Sequence, residues 1–301
     1  MRALLVGASG YLGARVHRAA AAAGVEVVTA GRSAGGPGHV TLDLAGGPDA
    51  VGAVIAGVAP DVVVNCAGAT SGDLAALSAG NIDGPAALVT ALVRMRPGPS
   101  GAAVRLVHLG SAAEYGRGPE GPVREDEPAR PLSPYGLTKL AGTRLVQLGR
   151  AAGLSAVVLR VFNPVGPGAP GHTLPGRVAS ELVRAVREND VVRLGGLDAV
   201  RDFVDADDVA AAVLAAATGP VPEHGVVNVG SGAAVPAREL VRTLVDVSGA
   251  RVRIEEGDGG SARSADVPWQ QADITAATAA WDWRPRTPLA VSLEGLWRQA
   301  A

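Results

Sequence analysis

Ala3-Leu4-Leu5-Val6-Gly7-Ala8-Ser9-Gly10-Tyr11-Leu12-Gly13 runs four apolar residues into three glycines at three-residue spacing, and an amphipathic stretch follows over residues 12–23. A short apolar run ending in glycines and opening a helix is the βα turn of a dinucleotide fold. The glycines let the backbone turn tightly and approach a pyrophosphate, whose charge the helix N-terminus then holds. The spacing departs from G-x-G-x-x-G, so the reading rests on position: the glycines come directly after the first strand. The alternative is a merely structural turn. If the cofactor reading holds, Gly7, Ser9, Gly10, Tyr11, Leu12 and Gly13 lie along the cofactor.

Outward from this turn, Val-rich runs at 3–6, 26–29, 39–42, 62–65, 104–109 and 156–161 alternate with Ala-rich amphipathic stretches at 12–23, 48–57, 73–95 and 134–152. Continuous apolar strands linked by crossover helices predict an α/β fold: a Rossmann-type doubly wound parallel sheet, buried on both faces. The rhythm breaks at the Pro/Gly-rich Asn163-Pro-Val-Gly-Pro-Gly-Ala-Pro-Gly171. The expected division is a dinucleotide-binding domain over 1–162 with a return segment near 202–230. A smaller mixed C-terminal substrate-binding lobe takes 163–201 and 231–301, with helices at 236–248, 273–281 and 288–299 and a Gly-rich mobile loop at 257–264.

Composition closes off several functions. A net charge of −2 with no run of like charges speaks against nucleic acid and anionic membrane surfaces. The single cysteine, Cys66, excludes an internal disulfide, offers no metal cluster, and suits a reducing cytoplasm. The N-terminal apolar run stops at Gly7 without a small-residue cleavage site, and no stretch reaches the roughly 18 uninterrupted apolar residues of a membrane span.

NAD-preferring sites place an acid at the end of the second strand, where it binds the ribose hydroxyls. Here that corner reads Thr29-Ala-Gly-Arg32-Ser33. A guanidinium and a hydroxyl suit a 2′-phosphate, which favours NADPH and leaves NAD(H) possible; the alternative is a solvated turn. Asp43, beside Leu44 after the third strand, is placed to bond adenine, and Asn65-Cys66-Ala67-Gly68 to lie along the cofactor at the next strand end.

Lys139 is the only lysine among 27 basic residues, and it sits four residues after Tyr135 in Ser133-Pro-Tyr-Gly-Leu-Thr-Lys139. With three tyrosines in 301 positions, chance seldom puts it there. On a helix this spacing sets both side chains on one face, where a compact ammonium favours an ionised phenol. Tyr135 then exchanges a proton with a carbonyl or alcohol oxygen, the acid catalysis that hydride transfer needs. The third partner expected is Ser111 in Leu109-Gly-Ser111-Ala-Ala-Glu-Tyr115, whose alternative role is a cap.

Gly7/Gly10/Gly13, Asn65-Cys-Ala-Gly68, Ser111, Tyr135/Lys139, Asn163 and Arg201-Asp-Phe-Val-Asp together resemble the extended short-chain dehydrogenase/reductase family of nucleotide-sugar metabolism. The resemblance implies that Ser111, Tyr135 and Lys139 are catalytic, with Lys139 also touching the nicotinamide ribose. It implies substrate contacts at Ser111, Ala112, Asn163, Arg177, Arg201 and Arg263, the Arg201 fork facing a diphosphate. It also implies a homodimer through the stretches 73–95 and 134–152. Family 4,6-dehydratases carry Asp-Glu directly after the triad hydroxyl, where this chain has Ala112-Ala113. Residues 195–203, Arg263 to Pro268 and Trp281-Asp-Trp-Arg-Pro285 are similar to the GDP-4-keto-6-deoxymannose reductase branch. The resulting expectation is NADPH-dependent reduction of a nucleotide-activated 4-keto-6-deoxyhexose. A C4-epimerase with retained NAD and a non-catalytic dinucleotide sensor stay open as alternatives.

Overall fold

The computed structural model describes residues 1–95, 103–257 and 267–301. Its first half alternates strand and helix: β1 (Arg2–Val6), α1 (Tyr11–Ala22), β2 (Glu26–Gly31), β3 (His39–Thr41), α2 (Gly47–Val58) and β4 (Val62–Asn65). Then come α3 (Leu74–Ser78), a π-helical turn Ala79–Asp83, α4 (Gly84–Arg94), β5 (Arg105–Ser111), β6 (Pro122–Val123), α5 (Pro134–Ala151) and β7 (Ala156–Val161). Seven parallel strands pair in the order β12-β7-β5-β4-β1-β2-β3, where β12 is Val226–Val229. The order reverses between β1 and β4, and in such sheets ligands bind beyond the carboxyl ends of the strands at that reversal. The expected α/β parallel sheet is therefore present.

Both sheet faces are covered because both are apolar. Leu5, Val64, Val107 and Leu159 pack with Val16 and Ala19 of α1 and with Val209 and Val213 of the helix over residues 206–218. Leu4, Val63, Leu106 and Val158 pack on the other face with Val51 and Ile55 of α2, Leu88 of α4 and Val146 of α5. Leu4 is fully buried, so Leu4→Ala removes about 2–5 kcal/mol by transfer and cavity costs together.

After β7 come β8 (Asn163–Val165), α6 (Leu174–Glu188), β9 (Val192–Leu194), β10 (Val200–Arg201), β11 (Phe203–Asp205) and α7 (Ala206–Thr218). Beyond β12 lie β13 (Val235–Pro236), α8 (Ala237–Ser248), β14 (Ile254–Glu256), β15 (Gln271–Ala272), α9 (Thr275–Trp281) and α10 (Leu289–Ala300). A further apolar cluster forms here from Val178 and Leu182 of α6, Leu240 and Leu244 of α8, and Leu293 and Leu296 of α10. The irregular rhythm read after Phe162 conceals α6. Thr173 caps it by accepting from Gly176 N, and Asn189 ends it at φ 51°.

The single helix expected over 73–95 is interrupted. Ala79–Asp83 opens into a π-helical turn where Gly80 approaches Ala69 so closely that a Cβ would lie 2.7 Å from its nitrogen. By length and a mean hydropathy of 1.2, Leu74–Arg94 is long and apolar enough to cross a membrane, yet half of it is buried inside the fold.

Candidate active site

The glycine turn forms a cradle with no room for side chains. Gly7 ends β1 at φ 83°, and a Cβ there would lie 2.6 Å from Ala67 N, so the turns after β1 and β4 touch across the reversal point. A Cβ on Gly10 would come 3.3 Å from Gly7 O, and one on Gly13 would collide with that same oxygen. Helix α1 then starts at Tyr11 with neither a side-chain cap nor an acid in its first turn. Such a start favours an anion, and the cradle fits a dinucleotide pyrophosphate. Ser9 is exposed on the turn, while Tyr11 turns away from it to donate to Gly166 O at 3.3 Å.

One strand outward, Arg32 and Ser33 are exposed at the end of β2, and nearby Asp43 caps the short turn Leu44–Gly46 by accepting from Ala45 N. On the other side of the cradle, Asn65 Oδ1 accepts from Ala67 N at 3.1 Å, and its Nδ2 lies 3.1 Å from Nδ1 of the buried His108. Because Asn65 donates there, His108 Nδ1 accepts. Burial, with Lys139 as a neighbouring charge, holds His108 well below the usual imidazole range, and burial pushes the Cys66 thiol up to about 12. Cys66 therefore behaves as a packed thiol.

Ser111 and the N-terminal half of α5, which carries Tyr135 and Lys139, lie beside this turn. Ser111 ends β5; its N–H donates to Glu114 Oε1 at 2.8 Å and its Oγ accepts from Ala113 N at 3.2 Å. Helix α5 begins with Ser133 accepting from Gly136 N, and Gly136 lies so close to Ala113 O that any Cβ would collide with it. That contact packs the first turn of α5, which carries Tyr135, against the turn that follows Ser111. Lys139, one turn later and buried, donates through Nζ to Leu109 O on β5 and lies about 3.9 Å from where a Gly68 Cβ would be. The ends of β4 and β5 and α5 thus bring Lys139 beside Gly68 and Leu109, two residues before Ser111 on β5.

The proposed substrate residues gather on the far side. Asn163 Nδ2 donates to Asp202 O at 2.8 Å and to Gln270 Oε1 at 3.3 Å, and Gln270 Nε2 donates to Ala112 O at 3.1 Å. Gln270 therefore bridges the position after Ser111 to Asn163. Arg201 is 6% exposed, donates to Val200 O, and is pushed down to about 10 by burial. Arg177 is exposed in the first turn of α6. Arg263 and most of the loop 257–264 lie outside the described residues.

Sequence reasoning missed three contributors. Asn81, in the π-helical turn, accepts from Ala69 N and donates to Ala69 O and to Thr138 Oγ1, fixing the backbone beside Gly68 and the helix carrying Lys139. The signal was Gly80-Asn81 inside an apolar helix. Gln270 had none. Glu114 was visible only as part of a quoted stretch: fully buried, it pairs with Arg160 at 2.9 Å, and Arg160 lies 4.4 Å over the Tyr115 ring. Facing inward, this carboxylate is withheld from substrate chemistry.

The family model of the NAD dependent epimerase/dehydratase family matches residues 3–230. A dTDP-6-deoxy-L-talose 4-dehydrogenase (NAD(P)(+)) of Kitasatospora kifunensis is 38% identical over 98% of this chain and 94% of its own. A UDP-glucose 4-epimerase of Azospirillum brasilense is 29% identical over 99% and 90%. Among solved structures, RMD from Pseudomonas aeruginosa complexed with NADPH superimposes with a TM-score of 0.81 at 26% identity, covering 99% of this chain and 98% of that one.

Proposed function

The chain belongs to the NAD dependent epimerase/dehydratase family, whose members here are NAD(P)-dependent enzymes of nucleotide sugars, and from that premise we propose that it reduces the C4 keto group of a nucleotide-activated 4-keto-6-deoxyhexose with NADPH. What supports this reading is Lys139, four residues after Tyr135 on α5, bonded to Leu109 O two residues before Ser111 and set beside a glycine cradle whose neighbouring strand, β2, is followed by Arg32-Ser33 with no acid. The relative sharing 38% identity is named for oxidation at C4 of a nucleotide-bound 6-deoxyhexose, the same hydride transfer in reverse.

The bound reduced nicotinamide supplies the hydride. Tyr135 gives its phenolic proton to the C4 oxygen as that oxygen gains charge. Ser111 Oγ already accepts from Ala113 N, so its own proton is left for the same oxygen. Lys139, tied to Leu109 O, keeps a fixed positive charge beside the phenolate left behind and presents its remaining protons toward the cofactor ribose. Arg201 holds the diphosphate, Asn163 and Ala112 border the sugar, and the substrate lobe is drawn from residues 163–201 and 231–301. With Ala112-Ala113 after Ser111 and Glu114 bound to Arg160, no acid stands where a dehydratase needs one.

Incubating the pure protein with NADPH or NADH and a panel of GDP- and dTDP-4-keto-6-deoxy sugars tests the reading through loss of reduced-cofactor absorbance. Oxidation with no member of the panel would sink it. The 29% identity to an epimerase over nearly the whole chain supports a second reading, C4 epimerisation with retained NAD. That reading requires NAD to copurify with the protein. We also place a homodimer contact on α5, where Leu137 and Leu148 stand 56% and 67% exposed; light scattering tests it.

A further inference from the structure

Between β2 and β3 the chain runs Arg32-Ser33-Ala34-Gly35-Gly36-Pro37-Gly38, exposed throughout, with three glycines in seven residues; backbone bonds from Thr29 N to Gly38 O and from His39 N to Gly36 O tie its far end, away from Arg32 and Ser33. A segment of this kind has little else to hold it in one conformation. His39, the first residue of β3, supplies the hold. Its Nε2 lies 2.9 Å from Ser33 O, and a carbonyl only accepts, so Nε2 donates. Its Nδ1 lies 2.8 Å from Thr29 Oγ1 on β2. The imidazole thus ties the carbonyl of the residue after Arg32 to the strand that leads into the turn. The ring lies against Gly35, where a Cβ would come 2.8 Å from imidazole Cδ2, and its Cε1 is 3.6 Å from where a Gly31 Cβ would be. Gly31, Thr29, Ser33 and Gly35 therefore box the ring in.

We propose that His39 is a positioning residue for cofactor choice: it pins the Arg32-Ser33 turn in the shape that receives the 2′-phosphate of NADPH. The inference rests on the NADPH reading above. NADH has no 2′-phosphate and gains less from a fixed turn, so the role acts on the ratio of the two affinities. A residue that merely supported the fold would move both affinities alike.

The test is fluorescence titration of the intact protein with NADPH and with NADH. His39→Ala should weaken NADPH binding about five- to tenfold, the size of one net hydrogen bond, and leave NADH within about twofold. Gly35→Ala, which pushes the ring off the turn, should lose NADPH affinity in the same selective way. His39→Gln, which keeps a donor for Ser33 O, should recover much of the loss. If wild type prefers NADPH and His39→Ala keeps the same ratio, the role of His39 is overturned. If wild type itself binds NADPH no better than NADH, the 2′-phosphate reading falls instead.

Discussion

Glu114→Gln isolates the charge beneath Ser111. Glutamine keeps an oxygen for Ser111 N–H, so the geometry of the turn survives, but the partner of Arg160 becomes neutral. Arg160 is 3% exposed and Glu114 wholly buried, which leaves a guanidinium uncompensated in the interior. Removing one member of such a pair costs about 3–5 kcal/mol. With a urea dependence near 3 kcal/mol per M for a chain of this size, the unfolding midpoint falls by about 1 M or more. Arg160→Met should cost a comparable amount, because it strands the carboxylate. The double variant, with neither charge, should be markedly more stable than the sum of the two losses. Urea unfolding followed by circular dichroism measures all four proteins. A loss below about 1 kcal/mol in Glu114→Gln, or full additivity in the double variant, would refute the claim that this pair is a coupled buried unit. Well below its midpoint, Glu114→Gln should keep most of its turnover, whereas Glu114→Leu, lacking the acceptor for Ser111 N–H, should lose it.

Tyr135→Phe should lower kcat by about 10²–10⁴-fold while NADPH affinity, read by fluorescence titration, stays put. Lys139→Arg preserves charge but replaces a compact ammonium, seated between Leu109 O and Gly68, with a broad fork; turnover should fall by at least tenfold, and retention of full activity would count against the assignment. His108 offers a pH test. Its folded pKa lies well below 6.5, so below that pH the unfolded chain binds a proton that the native state does not, and stability falls as the solution is acidified. For one such group the loss from pH 7 to pH 5 is about 2 kcal/mol, and His108→Gln should show a correspondingly shallower decline in denaturation midpoint.

What the chain discloses in order, it discloses well. The central strands of the large sheet, β1, β4, β5 and β7, are largely apolar runs because both their faces are buried, and Lys139 stands out because a single lysine survived among arginines. The places of Ser111 at the end of β5 and of Tyr135 and Lys139 one helical turn apart on α5 are legible because strand ends and helical spacing fix them. What escaped depends on contacts far apart in sequence: Gln270 meets Ala112 across 158 positions, and Arg160 meets Glu114 across 46. The π-helical turn at Ala79–Asp83 is driven by the approach of Gly80 to Ala69, which no local periodicity encodes.

The central claim, transfer of hydride from NADPH to C4, is tested most directly with cofactor deuterated at the transferable C4 position of the nicotinamide. The account predicts one deuterium at sugar C4 in the product, read by mass spectrometry and NMR, for each NADPH oxidised. A C4-inverted sugar formed without label and without consumption of NADPH would contradict it.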